Sequence, residues 1–448
     1  MRETRGTDRA LPPGPRISGL AALRAFRRDP IGLLSQAATF GDVAYLRLPR
    51  FPAYLLNHPD MVHDVLVTGS QGFMKGPTMQ AAKLVLGESL LTSEGEYHRR
   101  QRRLIQPIFH HDRIAGYGAA MVEHAARRCD RWHAGQTIDV HREMAELTLS
   151  VVGATLFGTD VETAEARSVG EALTLQLSMF GRVFSPLFQL SMRLPLPSNR
   201  RFERSKAALD AVIDRMIAER RSSGAAGEDV MSLLIRAQED GAGMSDAQVR
   251  HEAMTLFLAG HETTSNALTW TWYLLSQHPQ VEAKLRAELE EVLGGRLPTV
   301  ADVPRLRFTE MVLTESMRIL PPAWAIGRRA LADHHAGPYV VPAGSVVIVS
   351  PYLVHHDPRW YEDPETFVPE RWTDEERARR PRYAYLPFGA GPRMCVGEHF
   401  ARLEGVLILA TMAQRWRLRL VPGHPVELQP VITLRPKHGM AMTAERRG

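Results

Sequence analysis

Apolar residues return at helical spacing along most of the chain. From about residue 62 to residue 277 they recur among Arg, Glu and Ala with the period of a helix, which predicts a succession of helices. The longest should run from about 245 to 277, because Ser245 can cap its first turn and Gln248 occupies the capping-box position. Further helices are predicted at about 279–292, 307–320 and 398–414.

Strand patterns are short and lie towards the two ends of the chain. Segments 43–48 and 53–57 flank a Pro/Arg turn and predict a hairpin, and 339–349 and the tail after residue 414 also favour strands. Residues 382–397 show almost no periodic pattern. We therefore predict a mainly α protein with small sheets, organised as a single domain 1–448. Its parts are a β-rich segment at about 1–60, a helical core at about 61–330, and a β-rich segment with an irregular loop at about 331–448.

Composition narrows the class of protein. Lys and Arg number 55 against 50 Asp and Glu, and a formal charge of +5 is too small to indicate nucleic-acid binding. Two cysteines, Cys129 and Cys395, cannot form a disulfide framework, a cysteine-rich zinc site or a four-thiolate iron–sulfur cluster. Because no run approaches the roughly 18 apolar residues of a membrane span, we expect a cytoplasmic protein, monomeric and without a span.

The irregular loop contains one of the two cysteines. It reads Phe388-Gly-Ala-Gly-Pro-Arg-Met-Cys-Val-Gly397, and its glycines would let the backbone approach something flat. Cys395 precedes a predicted helix, whose N-terminus favours a thiolate, and a thiolate is a good ligand for iron. The alternative is a buried structural cysteine, which describes Cys129 better because that residue lies within a predicted helix.

The pattern Phe-x-x-Gly-x-Arg-x-Cys-x-Gly at 388–397 resembles the haem-binding signature of the cytochrome P450 superfamily at every fixed position. The resemblance implies the P450 fold, with haem b between a long central helix and the cysteine loop. It also implies that Cys395 is the thiolate ligand of the iron and that Phe388, Arg393 and Gly397 contact the cofactor. A thiolate ligand favours cleavage of the O–O bond.

Glu315 and Arg318 stand three residues apart on a predicted helix, and Arg371 follows in a Pro-Glu-Arg-Trp segment. Taken alone, a pair at this spacing is most often a solvated ion pair that contributes little to stability. The set is similar to the superfamily's Glu-x-x-Arg pair with its partner arginine. The resemblance implies a buried network of three side chains that holds the cysteine loop in shape.

The long helix carries the sequence Ala259-Gly260-His261-Glu262-Thr263-Thr264 directly after an apolar stretch. These residues could simply form a polar helix face, although a threonine there can also bond the carbonyl one turn earlier. The segment is similar to the superfamily's oxygen-binding motif. The resemblance implies that Glu262 and Thr263 deliver protons to bound dioxygen, and that Ala259 and Gly260 face the haem.

Three basic residues complete the expected cofactor site. His98 and Arg102 lie one helical turn apart, and Arg328 follows the Glu-x-x-Arg helix. The first two could instead belong to an exposed basic helix, because Arg99, Arg100 and Arg103 are their neighbours. The resemblance implies that His98, Arg102 and Arg328 bind the haem propionates, which need paired cations when buried.

The resemblance implies a monooxygenase that uses O2 and draws electrons, ultimately from NAD(P)H, through a separate ferredoxin or flavodoxin with its reductase. We expect Arg99, Arg100 and Arg103 to help dock that donor. An apolar substrate, a terpenoid or other secondary metabolite, fits the mostly apolar segments that should line the pocket, among them 177–190 and 431–434. The candidate pocket residues are Leu256, Phe257, Trp324, Ile326 and Ile432. The alternatives are a haem-thiolate gas sensor or carrier, an isomerase or dehydratase acting on a peroxide, and a fatty-acid hydroxylase.

Overall fold

The computed structural model describes residues 11–158, 194, 196–222, 229–239 and 244–447. The segment 177–190, which we expected to contribute to the pocket, and the glycine-containing segment 224–227 lie outside these residues.

Helices account for most of the described chain and occur throughout it. Pro stands at or next to the first position of several of them, where its missing N–H costs nothing. In chain order they are α1 Gly19–Arg28, α2 Pro30–Ala38, α3 Pro59–His63, α4 Pro77–Leu86, α5 Gly95–Ile105, α6 His111–Cys129, α7 Val140–Leu156, α8 Pro197–Ser222, α9 Val230–Glu239, α10 Asp246–Gln277, α11 Pro279–Leu293, α12 Arg307–Ile319, α13 Pro351–His355, α14 Asp374–Ala378 and α15 Glu398–Arg415.

The strands are short and form small sheets at the periphery of the helices. In chain order they are β1 Val43–Arg47, β2 Pro52–Leu56, β3 Phe73–Lys75, β4 Thr137–Asp139, β5 Ile326–Ala330, β6 His334–Ala336, β7 Tyr339–Val341, β8 Val346–Val349, β9 Trp416–Leu420, β10 Leu428–Pro430, β11 Leu434–Pro436 and β12 Ala441–Arg446. The largest sheet has the order β1-β2-β8-β5-β3, with β2 parallel to β8 and the other neighbours antiparallel. The other sheets have the orders β4-β12-β9, β6-β7 and β10-β11.

Helix α10 runs through the middle of the core. It packs against α7, α12 and α15, and its buried residues lie all around its circumference, including Trp270 and Trp272. A helix buried on every side has no single apolar face, so its sequence alone cannot tell which positions point towards a cavity. The Ser245–Gln248 capping box fixes its start as the sequence predicted.

The prediction of a mainly α protein with small sheets is confirmed, and so are the hairpin β1–β2 and the predicted helices α10, α11, α12 and α15. The prediction of a succession of helices from 62 to 277 is wrong at β3 and β4, which are strands of three residues each. Strands this short carry too few positions for an alternating pattern to show. In the described residues, no helix combines the length and the apolar character that a membrane span requires.

Candidate active site

A cavity of about 1700 Å³ lies between α10 and the loop that leads into α15. Cys395 and Phe388 line it on the loop side, and Ala259, Glu262 and Thr263 line it on the α10 side. Most of its remaining lining is apolar, with cationic side chains at the edge. The structure therefore brings the predicted iron ligand and the predicted acid–alcohol pair into one cavity.

The cysteine loop is held by its own backbone and by a close contact with residues 64–68. The N–H of Cys395 donates to the carbonyl of Phe388 at 2.9 Å. Gly391 has φ +70°, and a Cβ there would lie 2.0 Å from the carbonyl oxygen of Leu66. Only glycine fits this position, so Gly391 is needed for packing against protein rather than for approach to a flat ligand.

Opposing effects act on the thiol of Cys395. Its sulfur is open to the cavity but otherwise surrounded by protein, and burial raises the pKa of the thiol. The N–H of Gly397 and the Arg102 guanidinium act in the opposite direction. The N–H of Gly397 at the start of α15 therefore favours the thiolate, as the sequence predicts, while burial acts against it. Cys129 is a buried thiol whose pKa burial raises to about 12, in keeping with a structural cysteine.

Glu315, Arg318 and Arg371 meet in a buried network beneath the cysteine loop. Arg318 donates from Nε and Nη2 to the two oxygens of Glu315, both at 2.9 Å, and Nε of Arg371 lies 3.4 Å from Oε1. The indole of Trp372 and the N–H of Val368 donate to the same carboxylate at 2.8 and 3.1 Å.

This network reaches the loop through His355. Arg318 donates to the carbonyl of His355 at 2.8 Å, and Nε2 of His355 accepts from the N–H of Leu386 at 3.0 Å. Leu386 lies two residues before Phe388, so the conformation of the loop entry depends on the network.

On α10 the hydroxyl of Thr263 donates to the carbonyl of Ala259 at 2.9 Å, as a threonine on a helix can. Burial raises the pKa of Glu262, and a hydrogen bond from Thr433 acts against that rise. Ala259 is exposed and lines the cavity. Gly260 also lines the cavity, but a Cβ there would point at Val152 on α7, 2.9 Å away. The missing side chain of Gly260 therefore allows α10 to lie close to α7, and the expectation that Gly260 faces the cofactor stays a prediction.

A cluster of cations lies at one edge of the cavity. Arg393 donates to the carbonyls of Ser70 and Phe73 at 2.9 and 2.8 Å and to Glu94 at 2.8 Å. Burial lowers the pKa of Arg328 to about 10, with Arg393 nearby contributing to the shift. Both arginines line the cavity.

Lys75 is a further member of this cluster that the sequence analysis missed. It is buried on β3 and donates to the carbonyls of Leu90 and Ser93 at 2.9 and 2.8 Å. Burial lowers its pKa to about 7, and the neighbouring Arg393 and Arg328 act in the same direction. Its strand was not predicted, so no pattern in the sequence indicated that this lysine would face the cavity.

His98 and Arg102 do not line the cavity. Burial and the cations Lys75, Arg393 and Arg102 lower the pKa of His98 to about 4. The assignment of His98 to the haem propionates stays a prediction. Arg102 donates to the carbonyl of Met394 at 2.7 Å, beside Cys395, and thus contacts the loop.

Four of the five candidate pocket residues line the cavity, namely Leu256, Trp324, Ile326 and Ile432. Phe257 does not, because its ring packs edge-on against Phe157 with centroids 5.4 Å apart. The indole of Trp324 donates to the carbonyl of Val431 at 3.0 Å and so fixes its own orientation in the wall. Phe180, Phe184 and Phe188 belong to the segment 177–190 that we expected to line the pocket, and they lie outside the described residues.

Comparison with known proteins agrees with this geometry. The family model described as Cytochrome P450 matches residues 12–442. The chain belongs to the cytochrome P450 family. It is 42% identical to a cyclooctatin synthase of Streptomyces melanosporofaciens over 94% of this chain and 92% of that one. It is 40% identical to a cyclooctat-9-en-7-ol 5-monooxygenase of the same organism, over 89% and 87% of the two chains.

Two further similarities bear on activity and fold. A pentalenene oxygenase of Streptomyces avermitilis is 33% identical over 90% of each chain. The crystal structure of a cytochrome P450DA heme domain superposes with a TM-score of 0.87 and 26% identity, over 98% of each chain. As a member of this family the protein is a haem-iron monooxygenase that uses O2, a redox partner and a small-molecule substrate.

The residues around the cavity fit a P450 haem. The sulfur of Cys395 is a soft donor open to the cavity, and the lining beside it is largely apolar. Arg328 and Arg393 line the cavity together with Lys75, whose pKa is lowered to about 7, and of the described carboxylates Glu94 is hydrogen-bonded to this group while Glu252 acts on Lys75 without a hydrogen bond. Their buried positive charge is in excess, and two carboxylates such as the haem propionates would balance it.

Proposed function

We propose that the protein binds haem b through Cys395 and inserts one oxygen atom from O2 into an apolar terpenoid or related secondary metabolite. One observation carries the proposal: Cys395 and the Glu262–Thr263 pair line the same apolar cavity, from the loop and from α10. A gas sensor or carrier would have no use for a buried carboxyl and a hydroxyl directed at its ligand site.

Haem would be held by residues that differ in role. Cys395 supplies the ligand to iron, and Phe388 and Gly397 are part of the wall around it. Arg328, Arg393 and Lys75 supply cations for the propionates, since they line the cavity and are buried or half-buried. Arg102 acts on the ligand indirectly, because it bonds the carbonyl that precedes Cys395 and lowers the pKa of the thiol.

When bound, thiolate-ligated haem supplies the chemistry of O2 activation, which consumes two protons for each oxygen atom inserted. Glu262 lies at the cavity surface with a raised pKa, so it holds a proton at higher pH than an exposed glutamate would. The hydroxyl hydrogen of Thr263 is engaged by Ala259, which leaves its oxygen lone pairs towards the cavity as acceptors. We assign proton delivery to these two side chains.

Electrons would come from NAD(P)H through a reductase and a separate ferredoxin or flavodoxin. Arg99, Arg100 and Arg103 on α5 are exposed, and Arg102 of the same helix is bonded to the cysteine loop. Glu96 pairs with Arg99 at 2.5 Å and partly offsets this charge. We propose that the remaining positive charge receives an acidic donor. A monomeric, cytoplasmic enzyme is the simplest arrangement for such an encounter.

The proposed substrate class rests on the cavity and on the relatives. Two relatives are named for oxidation of cyclooctat-9-en-7-ol and pentalenene, which are terpenoid skeletons. Trp324, Ile326, Ile432 and Leu256 present apolar walls, which suit a hydrocarbon skeleton. A fatty acid is the competing ligand, because its chain would also fit an apolar cavity.

The test is incubation with a surrogate ferredoxin, ferredoxin reductase and NADPH under ¹⁸O2, with panels of terpenoids and fatty acids. We expect terpenoid products that carry one ¹⁸O atom. Selective oxidation of fatty acids would overturn the substrate class. A haem-loaded protein that binds ligands but forms no oxygenated product from either panel would overturn the monooxygenase proposal.

Replacement of Thr263 by Ala separates proton delivery from mere ligand binding. We expect product per NADPH to fall about tenfold or more while peroxide release rises, because one positioned proton-transfer group is lost. Thr271→Ala is the matched control, since its hydroxyl donates to its own helix at Ala267 in the same way, at 2.7 Å, but away from the cavity. Equal peroxide release from both variants would contradict the assigned role.

A further inference from the structure

Thr433 joins the cavity wall to the carboxyl of Glu262. It lies in the turn between β10 and β11, and its hydroxyl donates to Oε1 of Glu262 at 2.6 Å. The two residues are 171 positions apart in the sequence. The pair is therefore a product of the fold, and sequence spacing gave no indication of it.

Asn266 determines the direction of this hydrogen bond. It is buried on α10 one turn after Glu262, and its Nδ2 donates to the hydroxyl oxygen of Thr433 at 3.2 Å. An amide nitrogen can only donate, so the single hydroxyl hydrogen of Thr433 is directed to Glu262. Oε1 of Glu262 is thus an acceptor, and in the neutral carboxyl the proton resides on Oε2.

The turn that carries Thr433 is fixed on both sides. The indole of Trp324 donates to the carbonyl of Val431 at 3.0 Å, and the indole of Trp270 donates to the carbonyl of Leu434 at 3.0 Å. The N–H of Leu434 donates to the carbonyl of Pro322 at 2.9 Å. The hydroxyl of Thr433 therefore keeps its place relative to α10 without help from a ligand.

The second oxygen of Glu262 is in a different situation. Among the described residues no donor bonds Oε2, and Glu262 is one of the residues that line the cavity. Arg435 on β11 acts on the carboxyl from a distance and lowers its pKa slightly against the effect of burial. Further titratable groups near the carboxyl are His141 on α7, which acts on the cluster through Asn266, and His261 on α10. Glu404 on α15 contacts Thr264 of α10, and burial raises its pKa.

We propose that Thr433, oriented by Asn266, is a positioning residue that fixes one oxygen of Glu262 and leaves Oε2 as the atom that exchanges protons with the cavity. A glutamate has three rotatable side-chain bonds, so without this contact its carboxyl would sample other rotamers. The inference rests on the proposed monooxygenase function and specifies how its acid is held.

The experiment compares Thr433→Val, which keeps the shape but removes the hydroxyl, with Thr433→Ser, which keeps the hydroxyl. The first readout is an infrared titration of the Glu262 carboxyl in the haem-loaded protein, with the band assigned by its loss in Glu262→Gln. Removal of a hydrogen bond to the charged form should raise the pKa of Glu262 in Thr433→Val, and Thr433→Ser should restore it. Asn266→Leu should raise the pKa of Glu262 as well, by a smaller amount.

The second readout is the product formed per NADPH across a range of pH. We expect Thr433→Val to lose about fivefold to tenfold in coupling, the effect of one hydrogen bond near an ionisable group, with rescue by serine. Thr269→Val is the control, because its buried hydroxyl bonds Ser265 on the same helix and not Glu262. In this variant the Glu262 band should titrate as in the wild type, and the product formed per NADPH should be the same.

The outcomes separate this inference from the proposed function. The positioning role would be overturned if the pKa of Glu262 and the product formed per NADPH were the same in Thr433→Val as in the wild type. This would hold even if Thr263→Ala forms less product per NADPH. Absence of product from every form, the wild type included, would count against the monooxygenase function, and the infrared titration would still decide whether Thr433 holds the carboxyl.

Discussion

Two buried carboxylates, Glu315 on α12 and Glu262 on α10, have opposite surroundings. Glu315 has no exposed surface and accepts from Arg318, Trp372 and the N–H of Val368, with Arg371 beside it. Glu262 accepts one hydrogen bond, from Thr433, and lines a cavity. Both lie within glutamate-containing motifs that the sequence identifies. Both oxygens of Glu315 accept hydrogen bonds, whereas only one oxygen of Glu262 does.

The difference indicates which carboxylate can take part in chemistry. A carboxylate whose oxygens are all bonded to cations and donors stays charged and orders the groups around it. A carboxylate with one bonded oxygen and a raised pKa has an atom free to gain and lose a proton. We therefore assign Glu315 to the support of the cysteine loop and Glu262 to proton delivery.

The largest expected effect comes from breaking the compensated network. Glu315→Gln leaves the buried guanidinium of Arg318 without its counter-ion, which should cost about 3–5 kcal/mol of folding free energy. Denaturant unfolding of the haem-loaded protein measures it. Glu310→Gln on the same helix is the control, because Glu310 is exposed and should change stability by less than about 0.5 kcal/mol. Equal stability of the two variants would contradict the structural role.

A third carboxylate, Glu252 on α10, extends the comparison to the pH dependence of folding stability. Oε2 accepts from the N–H of Leu90 at 2.9 Å, Oε1 has no bonded partner among the described residues, and burial raises the pKa to about 7. Since the folded state holds this proton more tightly than the unfolded state, stability should fall as pH rises from about 4.5 to about 7.

Glu252→Gln should remove that part of the pH dependence. The free energy of unfolding of the variant should rise relative to that of the wild type as pH rises, by up to about 3 kcal/mol at pH 8. The nearby Lys75 lowers the pKa of Glu252 and so makes this difference smaller. Unfolding curves at pH 5 and pH 8 provide the measurement. A constant difference between variant and wild type at both values would show that Glu252 does not titrate in this window.

The smallest effect on stability, and a large one on chemistry, is expected for Glu262→Gln. The amide keeps an oxygen that can accept from Thr433 but cannot release a proton, so stability should change by less than about 1 kcal/mol. Product per NADPH should fall about tenfold or more. Unfolding and peroxide release measure the two effects. A loss of stability as large as that of Glu315→Gln, with coupling intact, would reverse the assignment of the two carboxylates.

The parts of the site that lie within one stretch of sequence could be predicted. The spacing from Phe388 to Gly397 carries the resemblance that identifies Cys395, and the Ser245–Gln248 pair fixes the start of α10. Each depends on neighbours in the chain. The pairing of Glu315 with Arg318 also follows from helical spacing.

Contacts between distant segments could not be predicted. Thr433 reaches Glu262, and Lys75 joins the cavity edge, only because short strands bring them there. On α10, which is buried all around, periodicity cannot distinguish Leu256, which lines the cavity, from Phe257, which packs against Phe157. Burial also lowers the pKa of His98 and raises that of Cys395, and the sequence pattern does not reveal how deeply either residue is buried.

The absorption spectrum of the reduced protein with carbon monoxide shows whether Cys395 ligates haem iron in this cavity. We expect a strongly red-shifted Soret band that is lost in Cys395→Ala and retained in Cys129→Ala, where the buried structural cysteine is removed instead. An ordinary haem–CO band in fresh, well-folded wild-type protein, or a red-shifted band that survives in Cys395→Ala, would contradict this ligation.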